Sequence, residues 1–372
     1  MRNLRCAFVW AVTIFGYANV AARAQVDIED GHTSVSLRGV DAVAPGVAWV
    51  SGSDGTILRT EDGGYVWQAC AVPAGGAKLD FRGVQGFDAK TAVVMASGPG
   101  QQSKIFKTSD GCQTWKMVFG DPDENGFFDA LRRVTSKQMY LMGDPVNGKF
   151  ATFFSPDAGS SWFISDDPGL DAEKGAGAFA ASNSSLISVG NMLIAGTGGS
   201  AGAAVYVTYG KCPESATKNA ACPMAWAKTK VPMADEGAGA GVFSVAARTR
   251  TSLSGTMTTI LVAVGGDYSK PDVSAGSAAW TDDGGKHWTI PQTLPHGYRS
   301  AVAFDSAAQA WLAVGPNGMD VSFDDGRRWS PVKSAATGPQ AASDLGWNAI
   351  SLPFVVGARG RIGKLRPEVF AH

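Results

Sequence analysis

Histidine is scarce: the 372 residues contain only His32, His287, His296 and His372, and none stands at metal-ligand spacing from another. No Cys-x-x-Cys pair occurs, so no metal site is expected. No Gly-x-Ser-x-Gly elbow marks a serine hydrolase and no cofactor signature is visible, so no cofactor is expected. Gly143-Asp144-Pro145-Val146-Asn147-Gly148-Lys149-Phe150 mimics a phosphate-binding loop, but Phe150 stands where Ser or Thr is required and a strand, not a helix, is expected to follow. Charged residues make up only 17%, and capped segments of helical period are nearly absent. The longest apolar stretch falls short of the 18 or so residues a membrane span needs. A formal net charge of −1 offers nothing to attract nucleic acid or an anionic membrane surface.

Glycine and tryptophan are plentiful instead, at 47 and 11 residues, which suits tight turns and short strands. Five segments share the pattern Ser/Thr-x-Asp-x-Gly-x-x-Trp: Thr60 to Trp67, Thr108 to Trp115, Ser155 to Trp162, Thr281 to Trp288 and Ser322 to Trp329. Cys112 alone departs at the glycine position. Within them Asp62, Asp110, Asp157, Asp283 and Asp324 are expected to accept hydrogen bonds from the turn. Trp67, Trp115, Trp162, Trp288 and Trp329 are expected to pack over a neighbouring sheet. These residues are structural, not catalytic.

The first three boxes start 48 and 47 residues apart, the third and fourth 126 apart, and the last two 41 apart. A period of 40 to 50 residues is that of a propeller blade, and the long gap should hide further units. Tyr206 to Gly210, followed by Ala225-Trp226, reads as an interrupted box. Each box follows an apolar run ending in Gly, and counting the runs that end at Gly52, Gly98, Gly143, Gly196, Gly265, Gly315 and Gly357 gives seven units. The expected fold is all-β, a single seven-bladed β-propeller over 25–372. Its blades are placed at approximately 34–72, 79–120, 128–167, 177–232, 241–293, 298–334 and 344–368, with 25–31 closing the last.

Residues 1–24 read as a signal peptide. Arg2 and Arg5 precede the apolar stretch Cys6 to Tyr17, and Ala22-Arg23-Ala24 resembles a cleavage site before Gln25. Export to the periplasm or the extracellular space is therefore expected, with no stable membrane span after cleavage. The mature chain would carry 29 basic and 33 acidic residues. It would keep Cys70, Cys112, Cys212 and Cys222, an even number that suits disulfides in an exported protein. Cys212 and Cys222 flank a polar loop and are expected to bridge locally, which leaves Cys70 with Cys112 by exclusion. Free buried thiols are the competing reading.

The boxes mark one face of such a fold, so functional residues belong on the other. Aligned at Leu37-Arg38, Phe81-Arg82, Leu131-Arg132, Phe179-Ala180, Phe243-Ser244, Tyr298-Arg299 and Trp347-Asn348, four of seven innermost strands place Arg at one register. Arg38, Arg82, Arg132 and Arg299, with Ser244, Asn348 and Tyr298, would then form a basic ring suited to a carboxylate. The competing expectation is that each Arg is neutralised by an acid such as Asp144, Asp267 or Asp320. If the face is catalytic, Asp144, Asp267, Tyr268 and Glu173 are the candidates, with His296 and Tyr298 beside them.

The boxes resemble the Asp-box, or BNR, motif of sialidase-like and sortilin-like propellers. With Val50 to Gly64 and the Arg register included, the whole mature chain resembles the photosystem II stability/assembly factor family and its non-photosynthetic bacterial relatives. That resemblance implies a propeller that binds a protein partner through an arginine patch, matched here by Arg38, Arg82, Arg132 and Arg299. The insert between Cys212 and Cys222, and Ala180 and Ser244 in place of Arg, depart from the pattern. The Phe/Tyr-Arg-Ile-Pro signature of sialidases is absent, and box-containing xyloglucanases usually join two propellers where this chain has room for one. The expectation is an exported, non-catalytic binding or assembly factor that holds an acidic or carboxylate-bearing protein or peptide. A secreted glycoside hydrolase, sialidase-like or acting on a polysaccharide, is the alternative, and its partner would be a glycan.

Overall fold

The structure is a computed structural model and describes residues 25–190, 192–208, 224–251, 255, 257–332 and 344–370. The expected signal segment 1–24 and the expected Cys212–Cys222 bridge lie outside these residues. The described chain is all-β and its sheets are antiparallel, built from strands that follow one another in sequence. Leu37–Ala44, Val47–Gly52, Ile57–Thr60 and Gln68–Ala69 form one four-stranded sheet; Phe81–Gly86, Ala92–Ala96, Lys104–Thr108 and Lys116–Gly120 form the next. The same order recurs in Phe128–Arg133, Met139–Val146, Lys149–Ser155 and Phe163–Ile164, and again in Ala301–Asp305, Ala310–Gly315, Gly318–Ser322 and Ser330–Pro331. Between these two lies an eight-stranded sheet that narrows to one residue pair, Gly198 opposite Gly241.

The apolar runs are the second strands, and sheets cover both of their faces. Val93, Val94 and Met95 have no exposed surface, nor do Trp311, Leu312 and Ala313. A continuous apolar run, rather than an alternating one, is what such a strand requires. Core clusters mix residues of successive sheets: Trp49 and Ile57 pack with Phe81 and Phe106, and Val262 with Trp311. Leu37 and Trp67 of the first sheet pack with Phe354, Val356 and Ile362 of the last, so the succession closes on itself.

The five box segments form one kind of turn. Thr60 donates to Asp62 Oδ1 at 2.8 Å, the Gly64 amide donates to Thr60 Oγ1 at 3.0 Å, and the Val66 amide to Asp62 Oδ1 at 3.0 Å. The same bonds recur around Asp110, Asp157 and Asp324, and around Asp283 the amide that donates to the first hydroxyl is that of Asp283 itself. Each ring is then laid against the preceding sheet, Trp67 meeting Phe354 edge-on at 5.3 Å and Trp115 meeting Trp49 at 6.5 Å. Trp162 lies against Phe119 and Trp329 packs with Ile260 and Val262. The phosphate-loop mimic is a β-hairpin instead, turning at Asn147 and Gly148 with φ of 52° and 81°, the backbone that Asn-Gly favours in a two-residue turn.

The last sheet, Trp347–Ser351, Phe354–Gly357 and Arg361–Leu365, takes its outer strand from the other end of the chain. Val26–Asp30 pairs with it from Val26 opposite Leu365 to Asp30 opposite Arg361. Arg366 clamps the start of that strand through Asp27. Deleting residues 25–31 exposes the edge and removes buried Val26, so the urea unfolding free energy should fall by about 2 kcal/mol or more. An unchanged midpoint would show that the strand is dispensable.

Candidate functional site

Five inner strands bulge where they begin, and the bulge fixes their mutual register. Pairing jumps from Leu37 to Gly39, Phe81 to Gly83, Phe128 to Ala130, Val242 to Ser244 and Trp347 to Ala349. The skipped residues are Arg38, Arg82, Asp129, Phe243 and Asn348. A bulge re-aims the side chain it frees, so these residues form one set. Gly315 packs on the Tyr298 carbonyl as Gly52 packs on that of Ser36 and Gly357 on that of Gly346, which puts Ser300, not Arg299, at this position in its strand. The alignment of four arginines is thus corrected twice: in the third strand the equivalent of Leu37-Arg38 is Phe128-Asp129, and Leu131-Arg132 lies three residues further on.

The displaced arginines are occupied elsewhere. Arg299 has no exposed surface; its Nε donates to Asp320 at 2.6 Å, its Nη2 joins Asp320 as well, and its Nη1 donates to the Tyr298 carbonyl and Asn317 Oδ1. His296 completes the cluster, with Nδ1 2.9 Å from Asp320. Arg132 is pulled below its usual range by burial, with Asp41 nearby, and its Nε donates to Ser188 at 3.2 Å. Ser244 and Asn348, expected in the binding set, hold sheets together: Ser244 accepts from the Val302 amide and Asn348 donates to the Leu37 carbonyl at 2.8 Å.

Arg38 and Arg82 remain. Arg82 donates from Nε to Asp80 at 2.7 Å and from Nη1 to the Ala180 carbonyl at 3.2 Å. Among the described residues Arg38 has no ion-pair partner, and its Nε is buried without an acceptor. Burial, and then the Arg82 charge, pull the Arg38 guanidinium below its usual range, with Asp80 and Tyr298 acting the other way. Beside the pair stands an aromatic group. Phe243 stacks on Phe179 with centroids 3.8 Å apart, Tyr298 meets Phe243 edge-on at 4.9 Å, and Tyr268, 60% exposed, meets it at 6.2 Å. Burial pushes the Tyr298 phenol well up, so it stays a neutral donor.

Beneath this set the chain crosses from sheet to sheet. After the Ala180 carbonyl, Ser182 donates to the Ser300 carbonyl, and Asn183, at φ 62°, bonds both the amide and the carbonyl of Leu131. Ser184 then meets Ser244 at 2.7 Å. Four inner strands are tied by one short segment, and sequence reasoning missed it because its partners lie far away in the chain. Asp129 was missed too, although Phe128 precedes Gly143 by 15 residues just as Leu37 precedes Gly52.

The candidate acids do not converge. Asp267 pairs with Lys270 and accepts from Ser269, which hold it below the usual range, and Glu173 is held down by Lys228 at 2.5 Å. Asp144 accepts from the Ala178 amide and is pushed up by burial. Its charge acts on Asp129.

Two solved structures of YCF48 share this architecture along nearly their whole length. YCF48 bound to D1 peptide matches with a TM-score of 0.56 at 14% identity, over 93% of this chain and 99% of that one. YCF48 from Cyanidioschyzon merolae matches with a TM-score of 0.57 at 16% identity, over 93% and 100%. The fold is a β-propeller. An ancestral GH74 enzyme gives a TM-score of 0.51 at 13% identity, with 86% of this propeller covered but only 41% of the enzyme. No family model matches the sequence, and the search of curated proteins found no match. Among the described residues no helix is long and apolar enough to cross a membrane, and no group of three His, Cys, Asp or Glu could hold a metal ion.

Proposed function

We propose that this chain is an exported, seven-bladed propeller of Asp-box repeats, non-catalytic, that captures a protein segment bearing carboxylates. The blade count takes the eight-stranded sheet as two units meeting at Gly198 and Gly241. Arg38 carries the reading: a half-buried guanidinium that lacks an ion-pair partner among the described residues and leaves Nε without an acceptor, beside Arg82 and an aromatic wall. A buried donor without an acceptor is costly, and a carboxylate is the acceptor that relieves it while matching the charge. Exposed Tyr268, backed by the buried Phe243 and Tyr298, supplies apolar surface for the neighbouring residues of the segment. YCF48 bound to D1 peptide and the resemblance to the photosystem II stability/assembly factors support a peptide as the partner.

The test is fluorescence anisotropy with a fluorescein-labelled hexaglutamate peptide. Wild-type protein should bind it with an affinity that falls as salt rises. Arg38→Ala with Arg82→Ala should weaken binding by about tenfold or more, given 1.5–3 kcal/mol for hydrogen bonds to a charged group. Equal binding by the double variant, with an unchanged unfolding transition, would refute the assignment.

A second reading rests on Asp129 and Asp144, interacting carboxyls that are both pushed up, as the acid of a glycoside hydrolase must be. Turnover of a sialoside or of a plant or microbial polysaccharide would establish it.

A further inference from the structure

Asp129 occupies in its strand the bulge position that Arg38 and Arg82 occupy in theirs. It is 2% exposed, and its Oδ2 is buried without a hydrogen-bond partner. Three groups act on it from the elements around it: Asp144 from Met139–Val146, Arg82 from Phe81–Gly86 and the Ala180 amide from the crossing segment. Burial first, and then the Asp144 charge, push its carboxyl well above the usual range, while Arg82 and the Ala180 amide oppose them. Leaving one oxygen unsolvated and unbonded costs an ionised carboxylate more than it costs a neutral acid.

That neutrality matters for Arg82. Asp80 already holds its Nε and the Ala180 carbonyl holds one Nη. A second carboxylate would cancel its remaining charge and compete with an incoming anion for the N–H donors that are left.

We propose that Asp129 makes anion capture by Arg82 proton-coupled: the neutral acid leaves the guanidinium charge to the partner, and the ionised acid takes it. Asp129 is thus a positioning residue that acts through Arg82, and the inference rests on the peptide-capture reading. The sign follows from linkage. A bound anion raises the cost of ionising Asp129, so the complex holds the Asp129 proton more tightly than the free protein does. Binding is therefore full below the Asp129 pKa of the free protein and weakens as pH rises through it.

The experiment repeats the hexaglutamate titration at constant ionic strength, from a pH at which the peptide carboxyls are all ionised up into the alkaline range. Wild-type affinity should fall about tenfold across that range, which corresponds to a coupling of one pKa unit. Asp129→Asn, neutral at every pH, should keep the affinity of the acidic end throughout. Asp144→Asn, which removes the charge that helps to hold Asp129 neutral, should move the fall to lower pH without abolishing it. An infrared difference spectrum of wild type minus Asp129→Asn at the acidic end of that range should show the carbonyl band of a protonated acid. Binding by wild type that does not vary with pH, a fall that survives in Asp129→Asn, or no acid band would each overturn the coupling while leaving capture standing. No binding by wild type at any pH would remove capture, and the coupling with it.

Discussion

Asp320→Ala is expected to cost about 3–5 kcal/mol of unfolding free energy, the loss typical when one partner of a buried ion pair is removed. Neither Asp320 nor Arg299 has exposed surface, and Asp320 accepts from Arg299 and from the His296 backbone and ring. The variant leaves a guanidinium that retains only the Tyr298 carbonyl and Asn317 Oδ1 as acceptors. The diagnostic comparison is with Arg299→Met combined with Asp320→Leu. Two apolar residues of similar volume require no charge to be desolvated, so the double variant should be clearly more stable than Asp320→Ala in urea. If both unfold alike, the cost comes from lost packing rather than from a stranded charge.

Breaking the Cys70–Cys112 disulfide should be of similar consequence. The bridge spans a sequence separation of 42 and ties the end of the first sheet to the turn of the second box. Loop-closure entropy for a loop of that length gives about 4 kcal/mol, which Cys70→Ala should lose. Cys112 also stands where the other boxes have glycine, at φ 61°. Left-handed backbone costs a residue with a side chain about 1–2 kcal/mol. Cys70→Ala with Cys112→Gly should therefore recover part of the loss, to a net of about 2–3 kcal/mol by the same two terms. Urea unfolding of the three proteins separates the contributions; a single variant as stable as the oxidised wild type would show that the bridge adds nothing.

What could be read in the sequence is what local chemistry dictates. The box turns bond within themselves over four residues, so their spacing alone reveals them, and the apolar runs are continuous because they lie between two packed sheets. Cys70 with Cys112 followed from exclusion, and Asp320 was among the acids expected to neutralise an arginine. The register of the inner strands depends instead on bulges, which no local pattern announces. Leu131-Arg132 imitates Leu37-Arg38 closely enough to hide Phe128-Asp129. The crossing segment was invisible for a related reason: Ser182, Asn183 and Ser184 look like any polar loop until Ser300, Leu131 and Ser244 are brought to them by the ring. Of the seven residues expected to bind, the proposed capture site keeps Arg38 and Arg82 with Tyr298 beside them, and adds Asp129, Phe179 and Phe243.

The pairing of Val26–Asp30 with Arg361–Leu365 has a temporal meaning. A chain is made from its N-terminus, yet the first described strand belongs to the sheet completed last. Until Arg361–Leu365 has been synthesised, Val26–Asp30 has no partner, and the first sheet has no Phe354 to receive Trp67. Intermediate lengths of the chain therefore carry two open ends, one at each side of the growing arc, each exposing apolar surface and unbonded strand edges. Removal of Val26–Asp30 or of Arg361–Leu365 should be felt at the same seam, and completion of the ring is a property of the whole chain rather than of any single repeat.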